Sequence, residues 1–389
     1  MKKFTIVSIA YALLITVSSL SAFDAHRTNP IDIRSISLGG SHLADTEHFY
    51  ALYNNPAAII FTQDKKMLPA FSSILSGPLA IIPDLTPLFK DQSEATIEAA
   101  LGPVLNSVGS QGLNIGLELG GLCTFGSIKN LKMGTLGVGL MDKTYTDVRV
   151  LSLTRSTLKL GVNTGAQVAY ALPIDFAEAG TLSVGLAGHV TYQVQAKYSD
   201  APAGIISVLN NVNTLPMYQM IGIGFDVGVQ HKIGMLHSAL VWKDIISPLF
   251  VTEYTGFDSY KGRTGTRLDT TKINSQLGVG VEVDIPLKEK TLGIITACRV
   301  YTDYNDFIPL FNKNIIARNP LLELAFGTEI ELINVFAFRL GIHESYPSAG
   351  LGLTLNKFRL NVAMYGSELS FEPGLKPQLN VALSSLITY

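Results

Sequence analysis

From Gln219 to His231 the side chains alternate in character. Ile221, Ile223, Phe225, Val227 and Val229 fall on one face, and Met220, Gly222, Gly224, Asp226, Gly228 and Gln230 on the other. Successive strand side chains point to opposite faces, so this run predicts a strand with one greasy wall and one small or polar wall. The same pattern places Ile273, Leu277, Val279, Val281 and Val283 opposite Gln276, Gly278, Gly280, Glu282 and Asp284. It also places Phe336, Phe338, Leu340 and Ile342 opposite Arg339 and His343. About 14 such runs are readable, an even number as a closed bacterial barrel has. They lie around residues 66–76, 112–125, 131–142, 145–156, 158–172, 180–197, 218–231, 234–246, 271–285, 290–302, 320–332, 333–343, 348–356, 357–366 and 376–389, one of the first five being marginal. Most exceed the usual strand of about 5–6 residues and reach the about 9–11 that a tilted strand needs to cross a bilayer.

The joins between runs divide into two kinds. Ser127–Asn130, His231–Gly234 and Asn356–Lys357 read as short turns, whereas 74–111, 199–217, 247–270 and 303–319 read as long loops. Short turns on one side and long loops on the other are the asymmetry of an outer-membrane barrel. A soluble two-sheet sandwich also alternates, but its outward face should be charged. Here the non-apolar face is rich in Gly, Asn and Gln. Tyr145, Tyr198, Trp242, Tyr301 and Tyr304 near run ends suit interfacial girdles.

Composition sharpens this reading. The chain of 389 residues is 47% hydrophobic and only 15% charged, against about a quarter charged in a typical soluble domain. Mean hydropathy is +0.30, yet beyond the extreme N-terminus there is no apolar run of the about 18 residues a membrane helix needs. The 29 basic and 31 acidic residues leave no basic footprint for nucleic acid. Residues 1–22 carry Lys2 and Lys3, an apolar stretch from Phe4 to Val17 and small residues up to Ala22, the layout of a secretory signal peptide. Cys123 and Cys298 are the two cysteines, and they read as isolated thiols.

Between that segment and the first strand lies Ser37–Phe61, with Gly39-Gly40, Ala44-Asp45 and Asn54-Asn55-Pro56-Ala57 in order. Over these roughly 25 residues, with a barrel pattern behind them, the sequence resembles the long-chain fatty acid outer-membrane transporter (FadL-like) family. The wording, together with Trp242-Lys243-Asp244, is most similar to the spirochaetal members of that group. The resemblance implies an all-β fold, a transmembrane antiparallel β-barrel of about 14 strands spanning 66–389, with some short helices in the loops. It implies residues 23–65 packed inside as a plug, and uptake of hydrophobic compounds with lateral release into the membrane. It also implies an outer-membrane location in a diderm bacterium after export. The last strand ends on Tyr389, similar to the aromatic terminal signal that barrel assembly machinery reads, although Phe is usual there.

Two loops are unusually apolar. One carries Leu85, Leu88 and Phe89, followed by Ile97, Leu101 and Leu105 at helical spacing; the other carries Ile205, Leu209 and Leu215. Contiguous exposed apolar area marks binding sites, so these residues are the expected capture surface for a hydrophobic ligand, the alternative being a lid in which they pack on one another. His42, Asp45, Glu47 and His48 have metal-capable side chains but no known zinc spacing, and no metal or other cofactor is expected. Arg149, Arg155 and Arg339 are candidates to meet a carboxylate in the lumen, and Glu282, Asp284, Glu329 and Glu331 to pair with basic groups or tune permeation. Catalytic motifs are lacking, so an enzyme is not expected. The expected function is passive uptake of long-chain fatty acids or similar hydrophobic molecules, with membrane lipid and the assembly machinery as partners. The alternatives are a porin-like diffusion channel, or a barrel of the same kind serving protein secretion or surface binding.

Overall fold

The computed structural model describes residues 25, 27–46, 48–78, 96, 99–103, 112–311 and 318–389. Fourteen antiparallel strands form one sheet closed on itself. They are β1 (Lys66–Ser76), β2 (Leu113–Gly120 and Phe125–Leu131), β3 (Gly134–Ser152), β4 (Arg155–Asp175), β5 (Thr181–Asp200), β6 (Met217–Ile233) and β7 (Leu236–Ile246 and Pro248–Tyr254). Then follow β8 (Thr266–Arg267, Thr271–Lys272 and Gln276–Asp284), β9 (Ile295–Tyr304), β10 (Leu324–Leu332), β11 (Phe336–His343), β12 (Tyr346–Leu355), β13 (Phe358–Glu368) and β14 (Pro377–Thr388). Closure comes from β1 pairing with β14 on one side and β2 on the other. A closed sheet leaves no edge strand with unpaired backbone groups, the condition for crossing lipid with strands.

Alternation holds around the ring. Leu186, Val190, Ile221, Phe225, Phe338, Leu340 and Leu351 are exposed on the outer face. Thr191, Gln193, Gln195, Gln230, Glu282 and Glu329 are buried on the inner one. At one end the joins are mostly short, as at Lys132–Met133, Gly234–Met235 and Asn356–Lys357; the carboxyl terminus lies there too. The opposite, loop end carries the long connections, including the helix Pro202–Asn210.

Two boundaries differ from the sequence reading. Runs 131–142 and 145–156 are one strand, β3, because the polar stretch Asp142–Thr144 stays paired. Lys143 Nζ meets Glu118 Oε2 at 2.7 Å, and Asp142 accepts from Thr124 Oγ1 at 2.8 Å. Ser127–Asn130 is likewise inside β2 rather than a turn, and part of 247–270 continues β7 as Pro248–Tyr254.

Candidate functional site

Residues 27–65 run across the inner, polar faces of the strands. They contain two short helices, α1 (Ile33–Ser37) and α2 (Ala51–Asn54). The Asp32 side chain caps α1 by accepting from the Ser35 amide. Arg34 then reaches the wall. Its Nε and Nη2 donate to Glu329 at 3.0 and 2.7 Å, its Nη1 to Asp45 at 2.6 Å, and its Nη2 also to Tyr301 Oη at 2.8 Å. Glu329 in turn accepts from Arg299 and Arg339. Of the arginines singled out in the sequence, Arg339 is joined to a carboxylate, and Glu329 is spent on ion pairing. Arg359 holds Asp64 through both terminal nitrogens.

The Asn55-Pro56-Ala57 motif is anchored through Asn55. Its backbone is extended (φ −149°, ψ 108°), as a residue before proline must be. Its Nδ2 donates to Leu43 O at 3.0 Å and to Gln230 Oε1 at 2.7 Å, while its Oδ1 accepts from the Ala57 amide at 3.0 Å. Gln230 returns a bond to Ala44 O at 2.9 Å, and Ser183 Oγ donates to Ala57 O at 2.7 Å. Asn54, half-buried, ends α2. Gly39 and Gly40 take left-handed φ of 72° and 81°, and a Cβ on Gly39 would lie 2.2 Å from Ile342 O. Phe49, Leu52, Tyr53 and Ile59 pack with Ile128, Met141 and Ala169 of the wall in an apolar cluster.

Two cavities lie at opposite ends of the inner face of β13. At the loop end, a cavity of about 900 Å³ is bordered by β1, β2 and β11–β14. Its lining draws Asn114, Ser348 and Tyr365 from the inner strand faces and Leu340, Met364 and Leu379 from the outer ones; Lys376 is its one basic side chain among the described residues. At the turn end a polar cavity of about 180 Å³ is lined by Asp32, Arg34, His48, Arg339, Arg359 and Asn361. The inner face of β13 records the order. Asn361 lines the polar cavity, Ala363 packs with Ile31 and Ile33, and Tyr365 both joins that cluster and lines the large cavity. Along that face Ala363, packed on Ile31 and Ile33, lies between a residue of the polar cavity and one of the large cavity. Burial pushes the Asp32 carboxyl up to about 6, with Arg34 pulling the other way, and burial lowers His48.

The apolar loop residues lie elsewhere. Leu101 packs with Leu113, Val150 and Ile206, and Ile205 and Leu215 with Leu158 and Ala196; Val148 touches both groups. Ile205 and Leu209 fall on α3 (Pro202–Asn210). By alternation Leu113, Val148, Val150, Leu158 and Ala196 share the lipid-side face, so these segments cover the outside of the extended strand ends. Leu101, Ile205 and Leu215 are all buried there. Leu85, Leu88, Phe89, Ile97 and Leu105 lie outside the described residues, as do Glu47 and residues 1–22. Beyond the loops, two of the tyrosines assigned to girdles face inward: Tyr301 is buried against Arg34, and Tyr145 donates to Gln195. Trp242 does face outward.

One cluster escaped sequence reasoning. His189 of β5, Asp226 of β6 and Asp244 of β7 converge in the lumen, with Arg27 between the carboxylates. The available signal was a histidine and an aspartate on the polar faces of neighbouring runs. Two more short helices, α4 (Phe257–Lys261) and α5 (Ile308–Phe311), lie in the loops.

No family model matches the sequence, and no curated protein does. The likeness is to solved structures. The Pseudomonas putida toluene transporter TodX aligns over 94% of this chain and 100% of its own, with 10% identity and a TM-score of 0.53. The Ralstonia pickettii toluene transporter TbuX aligns over 93% of this chain and 99% of its own, with 11% identity and a TM-score of 0.50. At such identity the likeness is one of fold: the chain folds as the same kind of closed 14-stranded β-barrel as these two toluene transporters.

Proposed function

We propose that this barrel sits in a bacterial outer membrane and admits hydrophobic small molecules, with residues 23–65 as its plug, after removal of the signal segment 1–22. The observation that carries the reading is the cavity of about 900 Å³, whose Tyr365 also packs in a cluster with Ile31 and Ile33 of the N-terminal segment. That volume lies within the about 300–1,000 Å³ of small-molecule sites, and its lining mixes inner-face and lipid-side residues, which suits a ligand that must trade water for lipid. The polar cavity beyond α1 is a poor continuation for such a ligand. Exit therefore requires movement of the plug or passage through the wall.

The cargo class follows from two supports. The likeness of fold to toluene transporters favours compact apolar molecules. The plug wording shared with the fatty acid family, spirochaetal members included, and Lys376 in the lining favour a long-chain carboxylate. The buried apolar loop residues, Leu101, Ile205 and Leu215 among them, support the outer strand ends in this reading, while Leu85, Leu88, Phe89, Ile97, Leu105 and Leu209 remain assigned to first capture.

The test is uptake of labelled toluene and labelled oleate into proteoliposomes, with ion conductance measured in a planar bilayer. Uptake of either without steady conductance is the expected result. Steady ion conductance without hydrophobic uptake assigns a porin instead.

A further inference from the structure

The bulge in β7 aims a carboxylate where regular alternation does not. Trp242 faces lipid, so Asp244 should as well. Pairing with β6 instead jumps from Val227–Trp242 to Phe225–Ile246, which sets Lys243, Asp244 and Ile245 opposite Asp226. Asp244 takes a left-handed φ of 53°, a costly conformation for a residue with a Cβ, and turns into the lumen beside Asp226 and His189. One ligand atom from each of the three lies within 4.8 Å of the others. His189 Nε2 is 3.1 Å from Asp244 Oδ1 and 3.7 Å from Asp226 Oδ1. All three residues are more than nine-tenths buried, and His189 Nε2 and Asp244 Oδ1 have only ion-pair contacts, chiefly the one they make with each other, with no well-aligned hydrogen bond. Gly224 of β6 makes the room, since a Cβ there would lie 2.4 Å from the His189 ring.

Arg27 fills the gap, with Nη1 donating to Asp226 and Asp244 at 2.9 Å each. A salt bridge needs one carboxylate, and Asp226 alone meets both Arg27 nitrogens. The second carboxylate, the strained bulge and the imidazole nitrogen facing both carboxylates are surplus to it. Together they are an imidazole and two carboxylates around one point, the donor set of a borderline divalent ion such as Zn²⁺ or Co²⁺ rather than of all-oxygen Ca²⁺ or Mg²⁺. We propose that His189, Asp226 and Asp244 form a transition-metal site in which the Arg27 guanidinium takes the cation's place, so that metal and Arg27 compete and metal binding frees the start of the N-terminal segment. Lys243, buried on the same strand, opposes an added cation; two carboxylates released from Arg27 offset it. This site is independent of what passes through the barrel.

The experiment is a Co²⁺ titration of the purified full-length barrel in detergent, read by visible absorption, with heat-modifiable gel mobility reporting the fold. Arg27→Gln is expected to take up one Co²⁺ per chain with the intense band of a four-coordinate ion, at least tenfold more tightly than the native protein. Adding His189→Ala should abolish the band. Absence of bound Co²⁺ in folded Arg27→Gln, or a band that survives His189→Ala, overturns the site. A second measurement needs no variant: Zn²⁺ should raise tryptic cleavage after Arg27 in the native protein, and unchanged cleavage at saturating Zn²⁺ overturns the release.

Discussion

Arg34 and Glu329 are 295 positions apart in the chain and meet inside the barrel through two parallel hydrogen bonds of 3.0 and 2.7 Å. The pair is lopsided. Glu329 is shared by three arginines, Arg34, Arg299 and Arg339, whereas Arg34 also has Asp45 and the Tyr301 hydroxyl. One anion thus ties α1 to β9, β10 and β11 at once.

That asymmetry ranks two substitutions. Glu329→Gln takes a carboxylate from three buried guanidinium groups; Arg34 keeps Asp45 and Arg299 keeps Glu331, while Arg339 keeps the neutral Asn361 oxygen, and an uncompensated buried charge costs about 3–5 kcal/mol. Arg34→Ala leaves Glu329 with Arg299 and Arg339, so it should cost distinctly less barrel stability while loosening α1. Unfolding midpoints from heat-modifiable mobility check the order, and an Arg34→Ala midpoint below that of Glu329→Gln refutes it.

The inner-face glycines are where the N-terminal segment touches the wall most closely. A Cβ on Gly327 would lie 2.4 Å from Leu38 O, a backbone atom that cannot swing aside. The strand pairings of Gly327 with Tyr301 and Gly341 need no side chain. Gly327→Ala is therefore expected to keep the barrel and displace the segment, raising tryptic cleavage after Arg34 several-fold. Gly188→Ala is the control, because its nearest neighbour is the Phe225 ring at 3.6 Å, and it should leave cleavage unchanged.

The barrel was legible in the sequence because lipid and lumen select opposite side chains at alternate positions, as at Ile221 and Asp226. What alternation does not encode is where a strand stops or slips. Asp142–Thr144 has the polarity of a turn, yet Glu118 of β2 and Thr124 in the break between its two segments keep it extended. Asp244 has the parity of a lipid-facing residue until the bulge is known. Partners such as Arg34 and Glu329 are invisible for another reason: any inner-face carboxylate in the ring is within reach of an unplaced N-terminal segment. The Asn-Pro-Ala stretch drew attention by its wording, but that Asn55 pairs with Gln230 followed only from the fold.

Lys376 separates the two cargo classes. A carboxylate head gains one charge contact there and toluene gains none, and a partly exposed pair is worth about 0.2–1 kcal/mol. Lys376→Ala should weaken oleate binding by roughly two- to fivefold and leave toluene binding as it was. Competition of each ligand with a fluorescent fatty acid measures this, and equal losses for both would remove Lys376 from any role in selecting the head group.

Asp32 gives the N-terminal segment a pH dependence of unusual sign. Its carboxyl is pushed up to about 6 by burial, with Arg34 opposing, against about 3.9 in an unfolded chain. Between those values the native state holds the proton and the unfolded state does not, so the contribution of Asp32 to stability is fully present below about pH 4 and falls as pH rises to about 6. Above that range it is constant at its lowest. Asp32→Asn keeps a side-chain oxygen to accept from the Ser35 amide, since Asn caps helices as well as Asp does, and it removes the titration. The variant should therefore show a flatter stability profile between pH 4 and 6 and a higher midpoint than the native protein at pH 7. Chemical unfolding across that range is the measurement. A native profile that instead rises with pH in step with Asp32→Asn would mean that the carboxyl is ionised beside Arg34 throughout.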